Sequence, residues 1–187
     1  AERAPYDRLR ELVDAGTEWD EPLWRELAEM GFLGARIPEA YGGLGLADLD
    51  LGVLSEELGR ANCAVPFFSS IVCAADALAV AGSEAQKAAW LPLLASGEVV
   101  AAFASAEGKA GWRPANPDVR FEGGKLTGSK SPVADAGIAG VAIVVCTHNG
   151  REALALVKLD QAGVARTRLD SFDELRAHYR LDFDGAE

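Results

Sequence analysis

Apolar residues recur at helical spacing in the first half of the chain and at alternating spacing in the second. Leu9, Leu12 and Val13 make a short amphipathic helix that ends near Gly16. Asp20 is placed to cap a second helix, with Pro22 in its first turn and Leu23, Leu27 and Met30 on one face. Gly31 follows as its terminator. Asp48 is placed to cap a third, with Leu51, Leu54 and Leu58 inward and Gly59 closing it. A fourth helix follows Pro66 and runs to Gly82. Residues 71–80 are apolar nearly all round, so this helix is expected at the centre of its domain. Ser83 and Gln86 form a capping-box pattern that starts a fifth helix, ending near Gly97.

Beyond Gly97 the period falls to two. Residues 99–105 read as a short strand, and 118–122 with 125–127 as a hairpin turned by Gly123-Gly124. Residues 141–147 and 153–158 read as a second hairpin, in which Asn149-Gly150 supplies the positive φ angles of a type I′ turn. Further strands are expected at 164–169 and 179–183. Helices followed by strands, without alternation, predict an α+β protein rather than a parallel doubly wound one. The expected organisation is an all-helical N-terminal domain over 1–98 and an antiparallel β-barrel or sandwich over 99–187.

Composition narrows the class. Hydrophobic residues at 49% and charged residues at 25% match ordinary globular usage. No apolar run approaches the roughly 20 residues of a membrane helix, and the N-terminus lacks a secretory pattern, so a cytoplasmic protein is expected. The net charge of −11 disfavours nucleic acid and anionic membranes as partners. Residues 1–60 carry fourteen acids against six bases, whereas Lys109, Arg113, Arg120, Lys125 and Lys130 form a local basic stretch. That stretch suits an anionic ligand such as a CoA or a flavin pyrophosphate, but reads more simply as a hairpin with its cations on the solvent face. Three cysteines, Cys63, Cys73 and Cys146, show no paired spacing; Cys73 and Cys146 read as small core residues, and no metal site is expected.

Several tempting motifs have plainer explanations. Gly42, Gly43 and Gly45 lack GxGxxG spacing and a preceding strand, so they read as a tight turn. Glu56 and Glu57 are adjacent on a helix and face different ways, as a solvated face would. His148 and His178 have no nucleophile context, GxSxG is absent, and exposed loop positions account for both.

An ordered set of segments resembles the acyl-CoA dehydrogenase family. It comprises Leu23-Trp24-Arg25-Glu26-Leu27-Ala28-Glu29-Met30-Gly31, Ile37-Pro38-Glu39, Tyr41-Gly42-Gly43-Leu44-Gly45 and Glu56-Glu57-Leu58-Gly59-Arg60-Ala61. Gly82-Ser83-Glu84, Gln86-Lys87, Leu91-Pro92 and Gly97-Glu98 continue it, and Gly128-Ser129-Lys130 with Asp182-Phe183-Asp184-Gly185 resemble the family's middle domain. The resemblance implies an oxidoreductase of lipid metabolism, with FAD and an acyl-CoA thioester bound between the middle sheet and helical domains of an oligomer. It implies removal of the α-proton by a glutamate base as the β-hydrogen leaves as hydride to the flavin. In the family that base lies on or near a C-terminal helical bundle. The chain is expected to stop before that region, so none of its residues is expected to be the base.

At the positions where the family contacts its flavin, the sequence departs. The family reads aromatic-x-x-Thr-Glu and then Gly-Ser-Asp; here stand Phe103-Ala104-Ser105-Ala106-Glu107 and Gly111-Trp112-Arg113. The family's Lys-x-Trp-Ile followed by Thr or Ser is here Lys130-Ser131-Pro132-Val133-Ala134. The resemblance thus carries cofactor-binding positions to Phe103, Ser105, Ala106, Gly111, Trp112, Pro132 and Ala134, with main-chain groups of Ser105 and Ala106 still able to meet a flavin. Two functions are expected from this pattern. One is FAD-dependent α,β-dehydrogenation within a larger assembly. The other is a non-catalytic or half-site subunit of a heteromeric acyl-CoA dehydrogenase, its FAD site lost or shared with a partner subunit.

Overall fold

The computed structural model describes residues 5–108, 111–112 and 116–187. Two compact units emerge, one running through Val100 and including Asp173–Arg176, the other comprising Ala101–Phe172 and Ala177–Glu187.

The first unit is helical: α1 (Tyr6–Asp14), α2 (Glu21–Glu29), α3 (Asp48–Arg60), α4 (Asp76–Ala81) and α5 (Glu84–Ala95). Asp20 caps α2 through the amide of Leu23, and Arg8 holds the same buried carboxylate with two nitrogens at 3.1 and 3.2 Å. Gly31 ends that helix at φ +77°. Ser83 starts α5 as a reciprocal cap, its amide donating to Gln86 and its hydroxyl accepting from the Gln86 amide. Trp24 is 1% exposed and its indole donates to the carbonyl of Gly97, which ties α2 to the residue just beyond α5. The glycine turn is a close approach: a Cβ on Gly43 would lie 1.9 Å from the carbonyl oxygen of Ile37.

Three helical expectations need correcting. The N-cap of α3 is Ala47, not Asp48, whose carboxylate is engaged by Arg36; Asp50 reaches back to the Ala47 amide instead. The fourth helix is not uniformly α. Residues Phe68–Ala75 are wound as a π-helix that runs into α4, although no proline or glycine lies between 67 and 81 to force it. We have no local-sequence account of this widening. It buries Ile71, Ala74, Ala75 and Leu78 and leaves Val80 exposed, a stripe rather than burial all round. Cys73 is half-buried, while Cys146 is fully buried.

The second unit is a seven-stranded sheet of β1 (Ala101–Ala104), β2 (Arg120–Glu122), β3 (Lys125–Ala134), β4 (Val141–His148), β5 (Arg151–Lys158), β6 (Val164–Leu169) and β7 (His178–Ala186). Both glycine-bearing hairpin turns form, with φ of +58° and +79° at Gly123-Gly124 and +52° and +73° at Asn149-Gly150. The sheet curls into a half-barrel rather than a closed barrel, in the order β1-β4-β2-β3-β7-β6 with β5 added to β4. It is mixed rather than wholly antiparallel, because β1 and β2 both run parallel to β4. β1 pairs with the first half of β4 and β2 meets its end at Thr147, so the two short strands share one side of β4 in succession. His178 lies half-buried at the start of β7 instead of on an exposed loop. No described helix is long and apolar enough to cross a membrane.

Candidate functional site

The chain leaves β1 at Ala104 and returns at β2, and of the residues expected to face a cofactor Ser105, Ala106, Gly111 and Pro132 lie around this break. Ala102, Ala104 and Ala106 are buried, whereas Phe103 and Ser105 on the alternate side are half-exposed. On β3, Val133 is buried and Pro132 and Ala134 are half-exposed. The two runs meet directly. Glu107 bridges Ser131 in parallel register, and the Ser131 amide donates to the carbonyl of Ala106 at 2.8 Å. The structure thus brings Ser105 and Ala106 beside Pro132. Gly111 turns back at φ +88°, its carbonyl accepting from the Glu107 amide, and Trp112 beyond it is 73% exposed. Lys109 and Arg113 of the basic stretch lie outside the described residues.

The remaining cations of that stretch divide. Arg120 and Lys125 are exposed, as a hairpin's solvent face requires. Lys130 is not: it is wholly buried, because Glu107 faces it from the other run. The Lys130 ammonium donates to Glu107 Oε1 at 2.6 Å and to the Ser105 carbonyl at 3.1 Å. The Glu107 carboxylate also accepts the amides of Asp118, at 2.8 Å, and Val119, at 3.2 Å. On the other side of the break, the Thr147 hydroxyl donates to the Pro117 carbonyl and its amide to that of Val119.

Burial by itself pushes the Glu107 carboxyl upward. The Lys130 bond, the two backbone amides and the Lys130 charge together outweigh it and hold the group below its ordinary value. Cys146 lies within reach of the Lys130 field, yet its burial dominates and keeps the thiol raised, as suits an inert core position. Neither Glu107 nor Lys130 was among the expected site residues. A signal was available: Leu126 and Lys130 share parity along β3, so alternation turns Lys130 to the buried face.

Four of the seven expected positions lack the hydrogen-bonding or stacking group that the resemblance implies for a flavin. Ala106 and Ala134 end in methyl groups, Pro132 has neither an aromatic ring nor an amide hydrogen, and the Trp112 ring stands in solvent. The two carbonyls of the Ser105–Ala106 pair each accept one bond, from Lys130 and from Ser131, and keep a second lone pair. None of the seven expected positions lines the described cavities. The largest of these, about 850 Å³, is bounded by Tyr6, Leu9, Arg10, Val13 and Arg60 of the helical unit among others. Among the described residues no cluster of His, Cys, Asp and Glu could hold a metal ion.

Comparison with known proteins places the fold. The family model described as "Acyl-CoA dehydrogenase, N-terminal domain" matches residues 1–98. Acyl-CoA dehydrogenase FadE27 of Mycobacterium tuberculosis is 32% identical over 163 residues, which is 87% of this chain and 43% of that protein. A solved variant of the Tcur3481-Tcur3483 steroid ACAD superposes with a TM-score of 0.89 at 33% identity, over 99% of this chain and 51% of its own. The ChsE4-ChsE5 complex of Mycobacterium tuberculosis gives 0.87 at 30% identity, over 98% and 50%. This chain therefore spans about half the length of the relatives it matches. On the family match over residues 1–98, with these likenesses beside it, the chain belongs to the acyl-CoA dehydrogenase family.

Proposed function

We propose that this chain is the half-site or non-catalytic subunit of a heteromeric acyl-CoA dehydrogenase acting on an acyl-CoA thioester. In this reading 1–98 is the N-terminal helical domain and 99–187 the middle β-domain. FAD chemistry belongs to a partner subunit or to a site shared with one. The observation that carries the reading is the pairing of a kept frame with lost contacts. The Glu107–Lys130 pair and the Ala106–Ser131 bond hold the two runs together here, while Ala106, Trp112, Pro132 and Ala134 stand where the resemblance implies hydrogen-bonding and stacking groups. Frame residues serve the fold whether or not a ligand binds; contact residues serve only the ligand. Two solved relatives carry paired names, and one is described as a complex. That supports a two-chain assembly here as well.

The test is flavin content. The full-length protein should purify without stoichiometric FAD when expressed alone, measured by absorbance near 450 nm. It should recover flavin and acyl-CoA oxidation when co-expressed with a neighbouring family member. One flavin per chain in the protein expressed alone sinks the reading and restores the ordinary flavoenzyme.

A further inference from the structure

The Lys130 side chain has no exposed surface, and that of its ion-pair partner Glu107 is 5% exposed. Taking two such charges out of water is costly, and a well-packed apolar replacement is often neutral or better. Stability alone is therefore a poor reason to place them here. Their contacts suggest another. The ammonium reaches the main chain at Ser105, and the carboxylate reaches the main chain at Asp118 and Val119. Through one ion pair, three separate stretches of backbone are fixed: the run that continues β1, the start of β2, and the middle of β3.

We propose that Glu107 and Lys130 are positioning residues. They set the spacing between Ser105–Ala106 on one run and Pro132–Ala134 on the other, and touch no ligand themselves. The surrounding structure makes this specific. The Ser131 amide already joins the two runs at Ala106, and Thr147 braces the return at Pro117 and Val119. Neither contact orients the Asp118 amide, which has Glu107 as its acceptor. Without the carboxylate, residues 117–119, just ahead of β2, keep their carbonyl bonds to Thr147, while the amides of Asp118 and Val119 lose the acceptor that orients them. The proposal is independent of whether this chain binds a flavin, since it concerns the frame and not the contacts.

The test separates geometry from stability. In the 187-residue chain, Glu107→Leu with Lys130→Met removes both charges and the side-chain acceptor at once and leaves neither ion unpaired. This double variant should melt within a few degrees of the parent or above it. Its Asp118 and Val119 amides should exchange with deuterium at least about tenfold faster, while Val144 and Ala155 in the β4–β5 pair stay at parental rates. Glu107→Asp is the second arm: it keeps the charge but is one methylene too short to reach Lys130 and both amides together. It should show the same local acceleration. Parental exchange at Asp118 and Val119 in either variant that folds overturns the proposal. So does acceleration spread equally over the whole sheet, which would make the pair a stabilising one only. Lys130→Met alone leaves a buried carboxylate unpaired and should lower the melting temperature.

Discussion

Glu107 shows how one side chain answers two demands of opposite sign. Burial favours its neutral form, but the Lys130 ammonium and two amides favour the ion and prevail. Its folded pKa lies below the ordinary 4.5, so the unfolded chain takes up the proton first as pH falls. The ionised pair then contributes stability in full above about pH 4.5, and that contribution is lost as pH drops through the lowered folded value. Replacing Glu107 by Gln should flatten the acid limb of melting temperature against pH, while lowering the neutral plateau because the buried Lys130 loses its ion-pair partner. Glu84 is lowered too, by Tyr41 and Lys87, but its carboxylate is exposed and screened, so Glu84→Gln should leave the acid limb nearly unchanged. An identical acid limb in Glu107→Gln would show that other carboxylates govern acid unfolding.

Helices declare themselves through short-range chemistry, and α5 is the clearest case. Ser83 and Gln86 satisfy each other's amides, and both groups are exposed, so the cap adds to the helix without depending on core packing. Ser83→Ala should therefore cost about 1 kcal/mol in a denaturant titration with an unchanged slope. A Ser83→Asn variant should restore most of that. Such devices are readable because every partner lies within four residues, as with Asp20 at α2 and the glycine turns at 123–124 and 149–150. The misreadings share the opposite property. Asp48 is drawn off its cap by Arg36, twelve residues away. The parallel placement of β1 on β4 joins Ala101 to Val141, which strand periodicity cannot specify. At the site, the order of motifs placed Phe103, Ser105, Ala106, Gly111, Trp112, Pro132 and Ala134, and the bridge at Glu107 and Ser131 brings Ser105 and Ala106 up against Pro132. The ion pair beneath is legible only by half: alternation along β3 turns Lys130 inward, but its partner lies 23 residues upstream, beyond the reach of any local pattern.

At the scale of the whole chain, charge and exposed apolar surface oppose each other. The chain carries −11 at pH 7 and has a sequence pI near 4.7. Repulsion between copies is therefore strong at neutral pH and vanishes near pH 4.7. Against it stands α3, where Leu49 is 78% exposed and Val53, one turn on, is 54% exposed, with Leu46 just ahead of the helix at 42%. Apolar side chains grouped in this way favour association once charge no longer prevents it. Light scattering at fixed protein concentration should stay low at pH 7 in dilute buffer and rise as pH approaches 4.7. It should also rise at pH 7 when about 150 mM salt shortens the screening length to about 8 Å. Leu49→Ser with Val53→Ser leaves the net charge untouched and should suppress the salt-induced rise most clearly, because pH and hence the protonation of every carboxylate are held constant there. If the double variant scatters as the parent does under both conditions, α3 is not the contact. Association would then have to be sought at the other large exposed side chains, Trp112 and Phe172 of the sheet unit foremost.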